Sequence, residues 1–528
     1  MKVFQQFLQF LTTLLPLSSI LLSLILTPVF AGAANSGDVD LDNDGLIEIE
    51  TLEELNQMRY NLFGTSLTDE YGDSNSEGCP ASGCFGYELV NDLDFDTNGN
   101  GTLSDELSWN NGSGWVPIGT GRNSFSAVFE GNGHTIKNLY IRRSEDNNVG
   151  FFSVLVNATV RNLSLTGTLA KVYGNNDTGS LVGQIGNRNF QDSTVIKNVY
   201  STISVIGKSD VGGLIGNITL WGSNTYVLNN RVEAVVQGSW YVGGLVGYVY
   251  SAMEDSFISI EHNSSNSFVY GQDNVGGLAG ALLGQHGGYV KLTYGETEGR
   301  VTGNSKVGGL IGRLYTRGYT ELNALDVSNS HANTRVIGRG NNIGGLIGMV
   351  EMYGEDGIVF IKIVKSYASS IVEGVNNVGG LIGQVRDDDD SFTIEDSYAT
   401  GKVSGSDNVA GLIGYFYITK FSTVRVARTY ALGSVRGSYQ TGGLVSKITY
   451  HSSSLPSWYT DGYFRNIASY WNIETTRQTS SATGTGYTSE ELKCPRFPGD
   501  STCMARLYYG WSSSIWNFGT PTEYPTLR

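Results

Sequence analysis

The sequence predicts an all-β fold: one chain wound as a right-handed, single-stranded parallel β-solenoid with three short strands per coil of about 32 residues, closed at both ends by caps. Three observations carry that expectation. The first is a recurring hexapeptide: VGGLIG from Val211, VGGLVG from Val242, VGGLAG from Val275, VGGLIG from Val307, IGGLIG from Ile343, VGGLIG from Val378, VAGLIG from Val409 and TGGLVS from Thr441, with looser copies from Thr178 (TGSLVG) and Val149 (VGFFSV). Successive copies start 29 to 36 residues apart, so one supersecondary unit repeats. The second is what lies between them, as in IEDSYATGKVSGSDN (Ile394 to Asn408): short β-prone runs with small residues between, and no 3.6-residue stripe long enough for a helix. The third is composition. Seventy glycines with only 9 prolines exclude collagen, and 40% apolar residues exclude a flexible linker. Glycine would serve two needs here, positive φ at corners and close backbone approach between stacked coils.

The elements follow in chain order. After Lys2, an apolar run from Phe7 to Phe30 leads to Ala31-Gly32-Ala33, the pattern of a secretory signal ending at residue 33. Left uncleaved, the same run would be long enough to anchor the chain. Secretion or display at the cell surface is expected, with no membrane span in the mature chain. Residues 34–148 are read as an N-terminal cap, 149–446 as ten repeats and 447–528 as a C-terminal cap. A net charge of −16, from 34 Lys+Arg against 50 Asp+Glu, argues against a nucleic-acid partner.

Two acidic loops in the N-terminal cap have calcium-type spacing. In the first, Asp40, Asp42 and Asp44 alternate before Gly45, but Thr51 stands where a bidentate Glu would, leaving Glu48, Glu50 or Glu53 to complete the set. In the second, Asp94, Asp96, Asn98, Asn100 and Thr102 alternate, with Asp105 at the twelfth position. A structural Ca²⁺ is expected at each. Thr51 and Glu54 form a capping box that predicts a helix from Leu52 to about Leu62 over the open end of the solenoid. His134, between turn glycine and a β run, has no partner in the sequence to make it a general base. Cys79, Cys84, Cys494 and Cys503 allow three pairings; a stack of about ten coils at about 4.8 Å each favours the local ones, Cys79 with Cys84 and Cys494 with Cys503.

Two tyrosine columns emerge when the repeats are aligned. Tyr200, Tyr367, Tyr398 and Tyr430 each precede a hexapeptide by 11 residues and read as a stack helping to fill the solenoid. Tyr250, Tyr315 and Tyr417 lie eight residues after a hexapeptide begins and are the candidate ligand-binding aromatics. The tail, with Trp471, Trp511, Trp516, Phe518 and Tyr524, is expected to bury the last coil.

The Gly-Leu-hydrophobic-Gly core of these hexapeptides resembles the GLUG motif of bacterial secreted and surface proteins, including adhesins and the repeat regions of immunoglobulin A proteases. The resemblance covers residues 149–446. It implies a scaffold or binding stalk and brings no catalytic residue. The expected function is therefore adhesion or binding of a surface glycan or protein, without catalysis. The alternative is a polysaccharide-active lyase or hydrolase using acids such as Asp387 to Asp390, Glu395 and Asp396. His-Glu-x-x-His and Gly-x-Ser-x-Gly are both absent, which argues against a protease.

Overall fold

A computed structural model describes residues 37–102, 111–186, 193–318, 323–354, 359–388, 390–419, 422–451 and 463–528; the signal segment lies outside them. The hexapeptides stack in register. Val211 pairs with Val242, Val242 with Val275 and Val275 with Val307, and the ladder continues through Ile343, Val378 and Val409, all parallel. Around each coil the chain contributes to a nine-stranded sheet, then a ten-stranded sheet, then a 29-stranded sheet that covers the rest of the circumference. The coil is cut more finely than three strands. One turn runs through Ser305–Gly308, Ile311–Gly318, Asn323–Ser328 and His331–Gly338. Inside, like stacks on like: Leu310, Leu346, Leu381 and Leu412 are fully buried, as are Ile311, Ile347, Ile382 and Ile413. A coil alone could not bury that stripe, so stability belongs to the stack.

Of the two needs expected of glycine, close approach between coils is the one the hexapeptides serve. The hexapeptide glycines from Gly212 onward have no positive φ; they allow contact. A Cβ on Gly309 would overlap the carbonyl oxygen of Gly345, one on Gly345 that of Gly380, and one on Gly380 that of Gly411. The corners instead use other residues. The position before the hexapeptide is left-handed at Asn148, Asp177, Asp210, Tyr241, Asn274, Lys306, Asn342, Asn377 and Asn408. A second left-handed column includes Asn162, Asn198, Asn229, Asn329, Asp396 and Arg428. Asparagine tolerates this conformation, and its amide adds a ladder along the axis: the Asn377 side chain donates to Asn342 at 2.8 Å and Asn408 donates to Asn377 at 2.9 Å.

Two acids interrupt that amide column. Asn217 Nδ2 donates to Asp177 Oδ1 at 2.8 Å and to Asp210 Oδ2 at 3.2 Å. Burial, then the neighbouring Asp210 charge, lifts the Asp177 carboxyl to about 7, and burial raises Asp210 as well. An acid whose folded pKa is raised holds its proton in the folded state after the unfolded chain has lost it. Its stabilisation is greatest at low pH and is lost as pH rises from about 4 through 7, by about 1.4 kcal/mol per pH unit for one proton. Melting at pH 5 and pH 8 tests this. The double variant Asp177→Asn, Asp210→Asn, which installs the amide used by other coils, is expected to lose less stability over that interval than the wild-type chain; an unchanged loss would contradict the assignment.

Both ends are closed. At the N-terminus, Leu46–Ile49 pairs with Gly86–Leu89, which pairs with Val128–Glu130. The helix is shorter than its pattern suggested, Leu52–Gln57 followed by a 3₁₀ turn Met58–Tyr60, with the capping box formed and Leu55 and Met58 buried in the core. Phe129, Phe151 and Phe152 fill the first coils, and Trp115 stacks on Phe151 at 5.3 Å. In the degenerate VGFFSV the register sets Phe152 opposite Val182, so a ring stands where the next coil has an aliphatic side chain. At the other end, Trp471 joins the core, and residues 480–482 take up the edge left by Thr441–Val445: Gly443 N–H donates to Ser480 O and Ala482 N–H to Val445 O. An open edge is thereby paired.

The aromatic tail turns back along the outside. Tyr398, Tyr430 and Tyr470 form, with Leu492, Tyr508, Trp511, Trp516 and Phe518, a second hydrophobic cluster separate from the solenoid core. The first tyrosine column is in register, from Tyr200 through Arg231, Ser264, Glu296 and His331 to Tyr367, Tyr398 and Tyr430. Its rings stack at 4.8 Å from His331 to Tyr430, but on the outer surface. Strand alternation is the reason: inward positions beside them carry Ala332, Ala368, Ala399 and Ala431, all fully buried. Cys494–Cys503 and Cys79–Cys84 are both disulfide-bonded, with Cα atoms 5.8 and 5.2 Å apart.

Candidate functional site

The outer face of the ten-stranded sheet carries the richest arrangement of side chains. Each strand follows a hexapeptide and alternates inward aliphatic with outward polar or aromatic residues, as in Tyr248-Val249-Tyr250 and Tyr415-Phe416-Tyr417. The three candidate tyrosines occupy one register row. Tyr250 is followed by Leu283, Tyr315, Glu351, Arg386 and Tyr417. Leu283 interrupts the row, but between Tyr315 and Tyr417 the intervening members join the rings. Arg313 lies 4.4 Å over the Tyr315 ring and pairs with Glu351 at 2.5 Å; Tyr353 sits 5.9 Å from Tyr315; Arg386 reaches Tyr353 at 4.9 Å and Tyr417 at 5.2 Å. Further along, Tyr250 contacts Tyr248 and Trp221, and Tyr415 lies beneath Lys447.

These rings are half-buried, with cations over several of them and neighbouring rings beside them. Burial raises the Tyr248, Tyr250 and Tyr353 phenols, the last helped by the Glu351 charge. They stay neutral donors near pH 7. Tyr250 Oη donates to Gln285 Oε1 at 2.8 Å. Column counting from the hexapeptide found Tyr250, Tyr315 and Tyr417 but missed Tyr248, Tyr353, Tyr415, Arg313 and Arg386. The period-two alternation in GYVY and GYFY would have found Tyr248 and Tyr415.

The acids named for an enzymatic alternative are committed elsewhere. Glu395 pairs with Arg425 and Arg428, and Asp396 accepts from Arg428 Nε at 2.7 Å and Trp516 Nε1 at 2.9 Å. Asp387 and Asp390 are buried at a corner, where Asp390 N–H donates to Asp387 Oδ1 at 2.9 Å, rather than held in a solvated loop; Asp389 lies outside the described residues. His134 faces Asp92 at 3.5 Å on the surface.

Of the calcium-type residues, Asp40, Asp42 and Glu48 form one close group, and Asp42 and Asp44 form a second with Glu88. Glu50 and Glu53 are exposed and outside that cluster. The second loop folds its oxygens inward as the first does, where Asp44 N–H donates to Asp42 Oδ1 and Leu46 N–H to Asp44 Oδ1. Asp94, Asp96, Asn98 and Asn100 turn side-chain oxygens onto the loop's own N–H groups, including Asn100 Oδ1 accepting from Thr102 N–H at 2.8 Å, and Asp105 lies outside the described residues.

Comparison with known proteins matches the GLUG motif to residues 374–404, within the stacked coils of the β-solenoid. It is 36% identical over 138 residues to "Halomucin" of Haloquadratum walsbyi, covering 26% of this chain and 1% of that protein. It is 35% identical over 137 residues to "Putative Gly-rich membrane protein" of Evansella cellulosilytica, covering 26% of this chain and 15% of that one. The chain thus spans a small part of each relative. A crystal structure titled as a "putative immunoglobulin A1 protease" from Bacteroides ovatus aligns over 92% of both chains at 15% identity, but its TM-score of 0.29 is too low to carry an argument. Among the described residues, no helix is long and apolar enough to cross a membrane.

Proposed function

We propose that this chain is an extracytoplasmic binding rod whose tyrosine–arginine face docks carbohydrate chains, without catalysis. The observation that carries the reading is the run of rings and cations across stacked strands from Arg313 and Tyr315 to Tyr415, Tyr417 and Lys447, with Tyr248 and Tyr250 beyond the strand that carries Ala281 and Leu283. Flat aromatic surfaces match the C–H faces of sugar rings, and neutral phenols with anchored Arg and Gln groups supply donors and acceptors for hydroxyls. A linear polymer could contact several coils at once, gaining avidity from weak individual contacts. Two disulfides using all four cysteines suit an oxidising compartment, and one relative is named as a membrane protein.

A glycan array probed with residues 34–528 tests the proposal. The wild-type chain should bind at least one polysaccharide class, and the triple variant Tyr250→Ala, Tyr315→Ala, Tyr417→Ala should lose roughly tenfold or more at about 1–3 kcal/mol per removed ring contact. Equal binding by a folded triple variant would move the site off this face. Binding to cell-surface protein with a blank array would replace carbohydrate by a protein partner.

A further inference from the structure

We propose that Asp40, Asp42, Asp44, Glu48 and Glu88 together hold one divalent cation of the calcium type, which ties the entry loop to the first two coil strands. Glu48 pairs with Glu88 and Glu88 with Glu130, so three carboxylates of one face are stacked at successive strand positions, an arrangement that repels itself unless answered by positive charge. Glu130 is answered: Arg161 pairs with it and Asn162 donates to it. Glu88 receives only the neutral amide of Asn132 at 2.6 Å. For the remaining four acids, no described ion pair offers a lysine or arginine.

The oxygens themselves point to the same place. Asp40 is fully buried; its Oδ2 accepts from Gly45 N–H at 3.0 Å, while Oδ1 is buried without a hydrogen-bond partner. Glu48 Oε1 accepts from Leu41 N–H at 2.7 Å, and its Oε2 is likewise buried and unpartnered. A carboxylate oxygen in that state carries the full cost of desolvation. One ligand atom each from Asp40, Asp42 and Glu48 lies within 4.8 Å of the others, and the same holds for Asp42, Asp44 and Glu88, so Asp42 links the two groups. Five oxygen donors at irregular spacing on a turn opened by Gly45 at φ +92° suit a large hard cation better than Mg²⁺, which demands near-ideal octahedral geometry. The sulfurs beside Asp40 belong to the Cys79–Cys84 disulfide, so no thiolate is available for zinc.

Glu88 supplies what the loop motif lacked. It lies 37 residues beyond Thr51, the position where a bidentate acid was missing, and reaches the loop because its strand is the next rung of the ladder. The cation would link two coils where the solenoid begins, independently of the tyrosine face.

Titration calorimetry with CaCl₂ on the chelator-stripped chain is the test, with circular dichroism to verify folding. One equivalent should bind to the wild-type chain and raise its melting temperature. Glu88→Gln and Asp40→Asn should each weaken that binding by roughly a hundredfold, since affinity in oxygen cages tracks the number of charged ligands. Glu50→Gln and Asp96→Asn should leave it unchanged. Calcium binding that survives intact in a folded Glu88→Gln chain, or is lost in Asp96→Asn, or is absent from the wild-type chain, overturns the proposal.

Discussion

Gly345→Val is expected to unfold the middle of the solenoid. The position has no positive φ, so the cost is contact alone: the added Cβ would overlap the Gly380 carbonyl oxygen of the next coil and press on the Ala368 methyl at 3.0 Å. Neither partner can retreat. Gly380 is fixed by its own contact with Gly411, and the Gly345 N–H donates to Gly379 O at 3.1 Å within the ladder. Forcing the coils apart also breaks the flanking leucine and isoleucine stacks, so the loss should exceed about 4 kcal/mol, the range reserved for named core disruptions. Gly121→Ala is the matched control, because nothing lies within 4 Å of its Cβ and its φ is not positive; its effect should stay within about 0.5 kcal/mol. Urea denaturation of both variants checks the contrast, and a mild Gly345→Val would mean that the coils stack less closely than described.

Trp516→Ala is expected to release the C-terminal tail from the flank while leaving the solenoid folded. Trp516 is fully buried, 4.3 Å from Trp511 and about 6 Å from the Tyr398 and Tyr430 rings, and its indole N–H bonds the Asp396 carboxylate that holds Arg428. Truncation removes the ring that joins tail to flank and leaves a buried carboxylate short of a donor, at about 3–5 kcal/mol. Tail docking also uses Tyr430 Oη to Pro525 O at 2.5 Å, Trp511 Nε1 to Ala468 O at 3.0 Å and Asn472 Nδ2 to Tyr524 Oη at 2.8 Å. Limited proteolysis should therefore cut within residues 489–528 far faster in the variant, with residues 149–446 still protected. Equal protection would show that the tail is held by contacts other than this cluster.

The coil was legible because its signal is local and repeated. Val211, Val242, Val275 and their successors carry the register in plain sight, and the capping box at Thr51 and Glu54 needed four residues to read. The corners were not legible, because the Asn and Asp that dominate the left-handed columns are interrupted by Tyr, Lys and Arg, while the abundant glycine of the hexapeptides serves contact and not φ. The path of the tail was hidden for another reason. Nothing in a column of tyrosines says whether a strand shows it to the core or to solvent until the alternating alanines are placed. Glu88 was invisible to motif spacing because it reaches the acidic loop through strand pairing in a region without the hexapeptide. At the binding face, column position found three tyrosines, but the cations between them came from rows where the tyrosine column is interrupted.

The most direct test of the account is a single incubation of residues 34–528 with each polysaccharide the chain retains, followed by two readings: the protein held by the polymer, and the reducing ends or unsaturated products released. The account predicts retention that depends on the Tyr250, Tyr315 and Tyr417 face, with no product above background over days. New chain ends accumulating in proportion to enzyme and time would contradict it, and would make the rod a polysaccharide-active enzyme.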